Sequence, residues 1–155
     1  MPVPLAQRLR LYGQPSDKPG LDWAWVEAQL GSAGTYWVVP RSEGPPHPRP
    51  VWGVWHEERL YLSIGTPTTL HALAHDPVVT VHLDSGTDVV IVEGRVGGQV
   101  SEGGPVAAYN QKYDWSYEAE KYGPLQCVEP AVVLAWRAAG WAGRERFQQT
   151  GRWRF

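Results

Sequence analysis

The chain has 155 residues, 43% hydrophobic and 19% charged, a length and balance that suit one globular domain with its own core. Its formal charge of −2 removes the electrostatic case for nucleic acid or an anionic membrane as a partner. A single cysteine, Cys127, excludes an internal disulfide and suits a reducing, cytoplasmic setting, while no run of about 18 apolar residues offers a membrane span and the N-terminal MPVPLAQRLRLYGQP lacks a signal-peptide core.

Residues 1–20 are punctuated by Pro and Gly and read as an N-terminal arm, leaving 21–155 as one domain. Leu21 to Leu30 reads as a helix with Asp22 as its N-cap, and Trp23, Val26 and Leu30 recur at i, i+3, i+7 on one face. Thr35–Val39 is β-branched and aromatic, a strand. The loop 40–46 leads to a second strand, His47–His56. Pro48 and Pro50 lie in it, so its first part is an edge or a bulge with backbone free beside Arg49 and Val51. Glu57-Glu58 turns the chain into a third strand, Arg59–Ile64. A helix follows from about Thr68, with Thr66 as N-cap and Pro67 at its first position, and Asp76-Pro77 stops it.

Val78–Leu83 and Val89–Val96 are strands joined by a loop at 84–88. Residues 97–104 read as a mobile turn. Pro105 to Tyr122 reads as one helix with Tyr109, Tyr113 and Tyr117 in a stripe packed on the sheet. Ala131–Trp136 is a strand, and a last strand ends in 149–155. Six to seven strands, joined mostly by hairpins with three helices at the corners, favour a small closed antiparallel barrel over a parallel sheet.

Nine Trp stand against two Phe. They suit a core and an interface, and one or two can also flank a planar ring. The corner from Gly65 to Thr69 has the makings of a phosphate site: a helix N-terminus with free N–H groups, the hydroxyls of Ser63, Thr66, Thr68 and Thr69, and Arg49 on the adjoining strand. The plain alternative is a capped helix start with an Arg on its rim. His71 and His75, at i and i+4, have metal-ligand spacing without an evident third ligand, so they read as a solvated face and no metal is assigned. Glu57/Glu58 and Glu118/Glu120 fall in turns or on exposed helix, and Cys127 reads as buried and inert. No catalytic side chain is assigned.

The segments PRPVWGVW (48–55), LYLSIG (60–65), LHALAHDP (70–77), VHLDSGTDVVIVEG (81–94), AYNQKYDW (108–115) and RWRF (152–155) occur in an order that resembles the pyridoxamine 5′-phosphate oxidase-like split-barrel family. More narrowly, the chain is similar to its actinobacterial branch of FMN- and deazaflavin (F420)-binding proteins, over about residues 21–155. The resemblance implies a mainly β split barrel of the FMN-binding type and a homodimer with cofactors in clefts between subunits. It implies flavin- or deazaflavin-dependent oxidoreductase activity, with FMN as cofactor and F420 as the alternative. Arg49, Val51 and Trp52 would line the ring and tail. Ser63, Gly65, Thr66, Thr68 and Thr69 would hold the phosphate. The substrate is not implied.

The chain departs from the family at the helix entrance. Where members commonly carry a Ser-Arg-Lys type sequence, this chain has Pro67, Thr68 and Thr69. Losing one charged hydrogen bond costs about 1.5–3 kcal/mol, or roughly ten- to a hundredfold in affinity. Weakened binding, a different cofactor or a lost site all follow from that. Two other readings therefore stand beside the oxidoreductase. One is a degenerate barrel that binds a ligand without turnover, and the other is a haem-binding relative suggested by the five His. Oxidation of pyridoxamine phosphate itself needs a second basic cluster. Arg152 and Arg154 are its only clustered candidates, and they also read as the charged side of a terminal strand.

Overall fold

Alternation of apolar residues with less buried neighbours, two residues apart, sets the interior. The computed structural model describes residues 4–7, 20–137 and 149–155. Its strands are β1 (Leu5–Gln7), β2 (Tyr36–Pro40), β3 (Arg49–His56), β4 (Arg59–Ser63), β5 (Val78–His82), β6 (Asp88–Val100), β7 (Leu125–Arg137) and β8 (Gln149–Arg154). The helices are α1 (Trp23–Ser32), α2 (Pro67–His75), α3 (Gly104–Tyr113) and α4 (Ala119–Tyr122). No helix among the described residues is long and apolar enough to cross a membrane.

Six strands close on themselves in the order β4-β3-β2-β5-β6-β7, with every pairing antiparallel. This is the expected mainly β split barrel. The long β7 makes the closure possible. One of its edges runs along β6 throughout, from Val100↔Leu125 to Asp88↔Arg137. Its other edge is shared, first by β4 (Leu62↔Gln126 to Leu60↔Val128) and then by β8 (Val132↔Arg154 to Arg137↔Gln149). β1 adds to the far side of β8. Most of the expected arm 1–20 lies outside the described residues.

The barrel interior holds Tyr36, Val38, Leu60, Leu62, Val79, Val81, Val90, Val92, Val128, Val133 and Ala135, all buried. Residues two apart on a strand share a face, so these pairs define one side of each strand. α1 adds Trp23, Val26 and Leu30 to the same core. Asp22 caps α1 as expected, accepting from the Ala24 N–H at 3.2 Å. Burying a side chain the size of Leu30 contributes about 1.5–3 kcal/mol.

A second apolar cluster lies outside the barrel. Val54, Tyr61 and Cys127 point outward from β3, β4 and β7 and meet Val106, Tyr109 and Tyr117. Sheet residues on this side are buried because α3 covers them.

Three segments differ from the expected elements. Residues 97–100 continue β6 rather than turning. The ladder skips Gly97, since Val96 pairs with Val128 and Gly98 with Cys127. A Cβ at Gly97 would lie 2.5 Å from Cδ of the Glu129 side chain, so a larger residue at this bulge requires that carboxylate to move aside. β7 begins at Leu125 rather than Ala131, and Pro130 is tolerated in it because it sits beside a second register shift at Glu93/Gly94. The expected helix 105–122 is two helices. Asp114, with φ 48, ends α3 in the left-handed conformation, and its N–H returns to the Asn110 carbonyl.

Candidate functional site

On the outer face of the barrel, β3 outruns β4. Pro50 still pairs with Trp37 of β2, but the last β3–β4 pair is Trp52↔Ser63. The edge of β3 beyond Trp52 is therefore open on the β4 side, where the chain leaves β4 for α2. A cleft of about 540 Å³ lies there, lined by Pro50, Val51, Trp52, Ser63, Gly65, Thr66, Tyr109, Trp115, Tyr117 and Tyr122.

Five of the residues expected at the site meet in this cleft: Val51, Trp52, Ser63, Gly65 and Thr66. Three lie elsewhere. Arg49 is exposed, and its Nη1 donates to the carbonyl of its neighbour Pro48 at 2.8 Å. Thr68 faces a different cleft, of about 500 Å³, with Arg41, His71, His75 and Asp76. Thr69 is fully buried, and its Oγ1 has no partner among the described residues. The hydroxyls of consecutive threonines diverge because successive helix positions are about 100° apart. Thr66 is the N-cap of α2, but its side chain makes no cap hydrogen bond, so the hydroxyl remains available to the cleft.

The rest of the lining comes from the α3–α4 segment, which sequence reasoning treated as packing. The signal was the density of rings between Tyr109 and Tyr122. Trp52 stacks on Tyr113, with centroids 4.6 Å apart and planes 7° apart, and Trp115 stands edge-on to Trp52 at 6.2 Å and 87°. Trp52 and Trp115 are 44% and 45% exposed, far more than a structural indole needs to be. The Asn110 side chain accepts from the Tyr117 N–H at 2.8 Å and thereby fixes the turn that carries Trp115.

Behind the ring stack, α3 is latched to the barrel. Tyr113 Oη donates to the Gly34 carbonyl at 2.9 Å and accepts from the Gly53 N–H at 3.0 Å. Lys112 Nζ donates to the Gly53 carbonyl at 2.8 Å and to Tyr36 Oη at 2.9 Å. These groups fill the place where β2 stops pairing with β3 after Tyr36↔Val51. Burial pushes the Lys112 amine down to about 8 and the Tyr36 phenol up. On the cleft floor, Tyr117 Oη donates to the Gly123 carbonyl at 2.7 Å and lies 3.4 Å from Ser63 Oγ. Burial pushes Tyr109 up to about 12.

Among the described residues the lining is thus aromatic and hydroxylic, with no Asp, Glu, His, Lys or Arg. It can hold a planar ring by stacking and meet the ring's edge with hydroxyls and free backbone.

No protein-family model matches the chain, and no curated protein matches its sequence. Solved structures do resemble it. An F420 reductase is 20% identical, with a TM-score of 0.56 over 69% of this chain and 94% of that one. An FAD-binding protein from Mesorhizobium loti is 14% identical, with a TM-score of 0.58 over 85% of this chain and 94% of that one. A general stress protein 26-related protein of the pyridoxinephosphate oxidase family, from Clostridium acetobutylicum, is 11% identical, with a TM-score of 0.55 over 86% of this chain and 92% of that one. At these identities the likeness establishes the fold.

Proposed function

We propose that this protein is a flavin- or deazaflavin-binding oxidoreductase of the pyridoxamine 5′-phosphate oxidase-like split-barrel type. The observation that carries the proposal is the cleft itself. Val51, Trp52, Ser63, Gly65 and Thr66 converge on one opening, and its two exposed indoles form a corner. FMN is the proposed cofactor and F420 the alternative, a choice supported by the fold shared with an FAD-binding protein and an F420 reductase. The same reading makes the protein a cytoplasmic homodimer with the cleft at the subunit boundary, which light scattering of the purified protein tests.

The residues suit the ring of such a cofactor. Trp52, supported from behind by Tyr113, offers a stacking surface. The open edge at Pro50–Val51 and the hydroxyls of Ser63 and Thr66 offer hydrogen bonds to ring and side-chain oxygens. When bound, the cofactor supplies the hydride or electron transfer that no side chain can. The chain's own part is to hold the ring, exclude water from one face and leave the other open to a substrate.

The test is a visible spectrum of the purified protein followed by titration with FMN and F420. The expected result is a bound chromophore, or saturable binding of at least one of them well below millimolar. Binding of both weaker than about 1 mM, near −4 kcal/mol, removes the proposal.

One observation favours a second reading, a ligand-binding barrel without turnover. Among the described residues, the cleft lining contains no carboxylate, His, Cys or Lys to act as an acid or base. Bound cofactor that is never reduced or reoxidised by any donor or acceptor tried would favour it. A haem-binding role has less support, because no His lines the cleft to ligate iron. Absence of a Soret band after haem addition removes it.

A further inference from the structure

We infer that the ammonium of Lys112, set behind the Trp52–Tyr113 stack, favours the reduced state of the ring held in the cleft, so that reduced ring binds more tightly relative to oxidised ring than it would without that charge. This rests on the proposed function and deepens it, from a cleft that holds a ring to one that sets the ring's reduction potential.

Three groups stand in series behind the opening. Trp52 lines the cleft and stacks on Tyr113, with centroids 4.6 Å apart. Lys112 Nζ lies 5.1 Å from the centroid of the Tyr113 ring. Laid end to end, these distances place a ring stacked on Trp52 roughly 10–15 Å from the charge. The ammonium is also fixed in place. Nζ donates to the Gly53 carbonyl at 2.8 Å and to Tyr36 Oη at 2.9 Å. Gly53 directly follows Trp52, and its N–H is held by Tyr113 Oη at 3.0 Å. A Cβ at Gly53 would meet the Tyr61 carbonyl at 2.8 Å, so the peptide that anchors the ammonium has no room to shift.

A ring that takes up two electrons and one proton gains one negative charge, and a nearby cation stabilises that product over the oxidised ring. The partners that hold Lys112 are all uncharged: a carbonyl, a phenol and two ring faces. Tyr36 and Tyr113 are the titratable groups that face it, from β2 and α3, and burial raises both phenols. Tyr109, one turn earlier on α3, is pushed up to about 12. All three therefore stay neutral while Lys112 titrates. Unit charges roughly 10–15 Å apart, at an effective dielectric constant near 20 and with partial screening by salt, shift an equilibrium about three- to tenfold. Burial lowers the amine to about 8, so the charge is in place below that pH and is lost as pH rises through it. A reduced ring in the cleft raises that value in turn, by reciprocity.

The experiment measures dissociation constants of oxidised and of dithionite-reduced FMN by anaerobic isothermal titration of the full chain, at about pH 6.5 and about pH 10. F420 takes the place of FMN if it alone binds. The unsubstituted protein is compared with Lys112→Gln, which keeps a donor for the Gly53 carbonyl without the charge, and with Lys112→Arg, which keeps a charge at both pH values. The readout is the ratio of the oxidised to the reduced constant. A displaced Trp52 weakens both states and cancels in that ratio, and charges elsewhere, including those of a partner subunit, act alike on all three proteins. The expected ratio in Lys112→Gln is about three- to tenfold lower than in the unsubstituted protein at the lower pH, and equal within about twofold at the higher. Lys112→Arg should keep the high ratio at both. Equal ratios in all three proteins at about pH 6.5 overturn the inference and leave the proposed function standing. So does a Lys112→Gln deficit that persists undiminished at about pH 10, which would assign the effect to packing rather than charge. Should Lys112→Gln fail to fold, the other two proteins decide: a ratio that falls with pH in the unsubstituted protein and not in Lys112→Arg supports the inference, and parallel profiles overturn it. If neither cofactor binds in either state, the proposed function fails and the inference with it.

Discussion

Lys112 is where a single residue most directly links the fold to the cleft. Its ammonium has no carboxylate partner among the described residues. It is held instead by the Gly53 carbonyl, by Tyr36 Oη, and by ring faces 4.7 Å and 5.1 Å away on Tyr36 and Tyr113. Those contacts favour the charged form, but burial outweighs them and lowers the amine to about 8. In the unfolded chain it titrates near 10.4. Between those values the unfolded chain binds more protons than the folded one, so the Lys112 contribution to stability rises with pH from about 8 to about 10.4. Tyr36 and Tyr113, which face it, are both held up by burial, so neither ionises ahead of it. Lys112→Met should flatten the rise by on the order of 1 kcal/mol, allowing for solvent screening of a half-exposed amine. Urea midpoints of both proteins across that range check it, and parallel pH profiles would sink the idea. Its neighbour gives a second expectation. Tyr113→Phe leaves the Gly53 N–H without its acceptor and should cost about 1–3 kcal/mol.

At the scale of elements, the β3–β4 hairpin carries avoidable strain. His56 pairs with Arg59, so Glu57 and Glu58 form a two-residue loop, with φ of 48 and 59. Positive φ at both positions is what a tight hairpin needs, and Asn-Gly adopts it at far less cost than Glu-Glu. The double variant Glu57→Asn, Glu58→Gly should therefore gain about 1 kcal/mol, or about 2–4 °C in Tm. A calorimetric scan that shows no gain would mean the carboxylates repay the strain elsewhere. The turn was legible in the sequence because two strands of clear pattern flank it. The segment 97–130 was not, because its strand and helix boundaries are set by tertiary partners. Gly97 and Gly98 look like a turn until Glu129 and Cys127 are seen opposite them. Pro130 looks like a strand breaker until the bulge at Glu93/Gly94 is in view. The site was legible in part for the same reason. Val51, Trp52, Ser63, Gly65 and Thr66 come from two adjoining hairpin elements, whereas Trp115 and Tyr122 reach the cleft through a left-handed turn at Asp114 that no periodicity announces.

Across the whole molecule, the tryptophans divide between fold and cleft. Nine occur, and all but Trp141 lie within the described residues. Trp153 is 1% exposed and Trp23 8%, and their rings meet at 5.3 Å beneath β8 and α1. Only Trp52 and Trp115 among those described are exposed, and both stand at the same opening. This division predicts opposite phenotypes for two chemically identical substitutions. Trp153→Ala removes a wholly buried indole from the strand that covers half of β7, and should cost about 3–5 kcal/mol, a large part of a domain's usual 5–15. Trp52→Ala removes a half-exposed ring, and should cost only the stack on Tyr113, about 0.5–1.5 kcal/mol, while weakening the bound ring roughly tenfold or more. Urea unfolding and ligand titration on both variants separate the roles. If Trp52→Ala unfolds the protein as readily as Trp153→Ala and leaves binding untouched, Trp52 belongs to the core and the cleft loses its stacking surface. If the losses fall as expected, the barrel's stability and its recognition of a ring are carried by different members of one residue type, and each can be altered without the other.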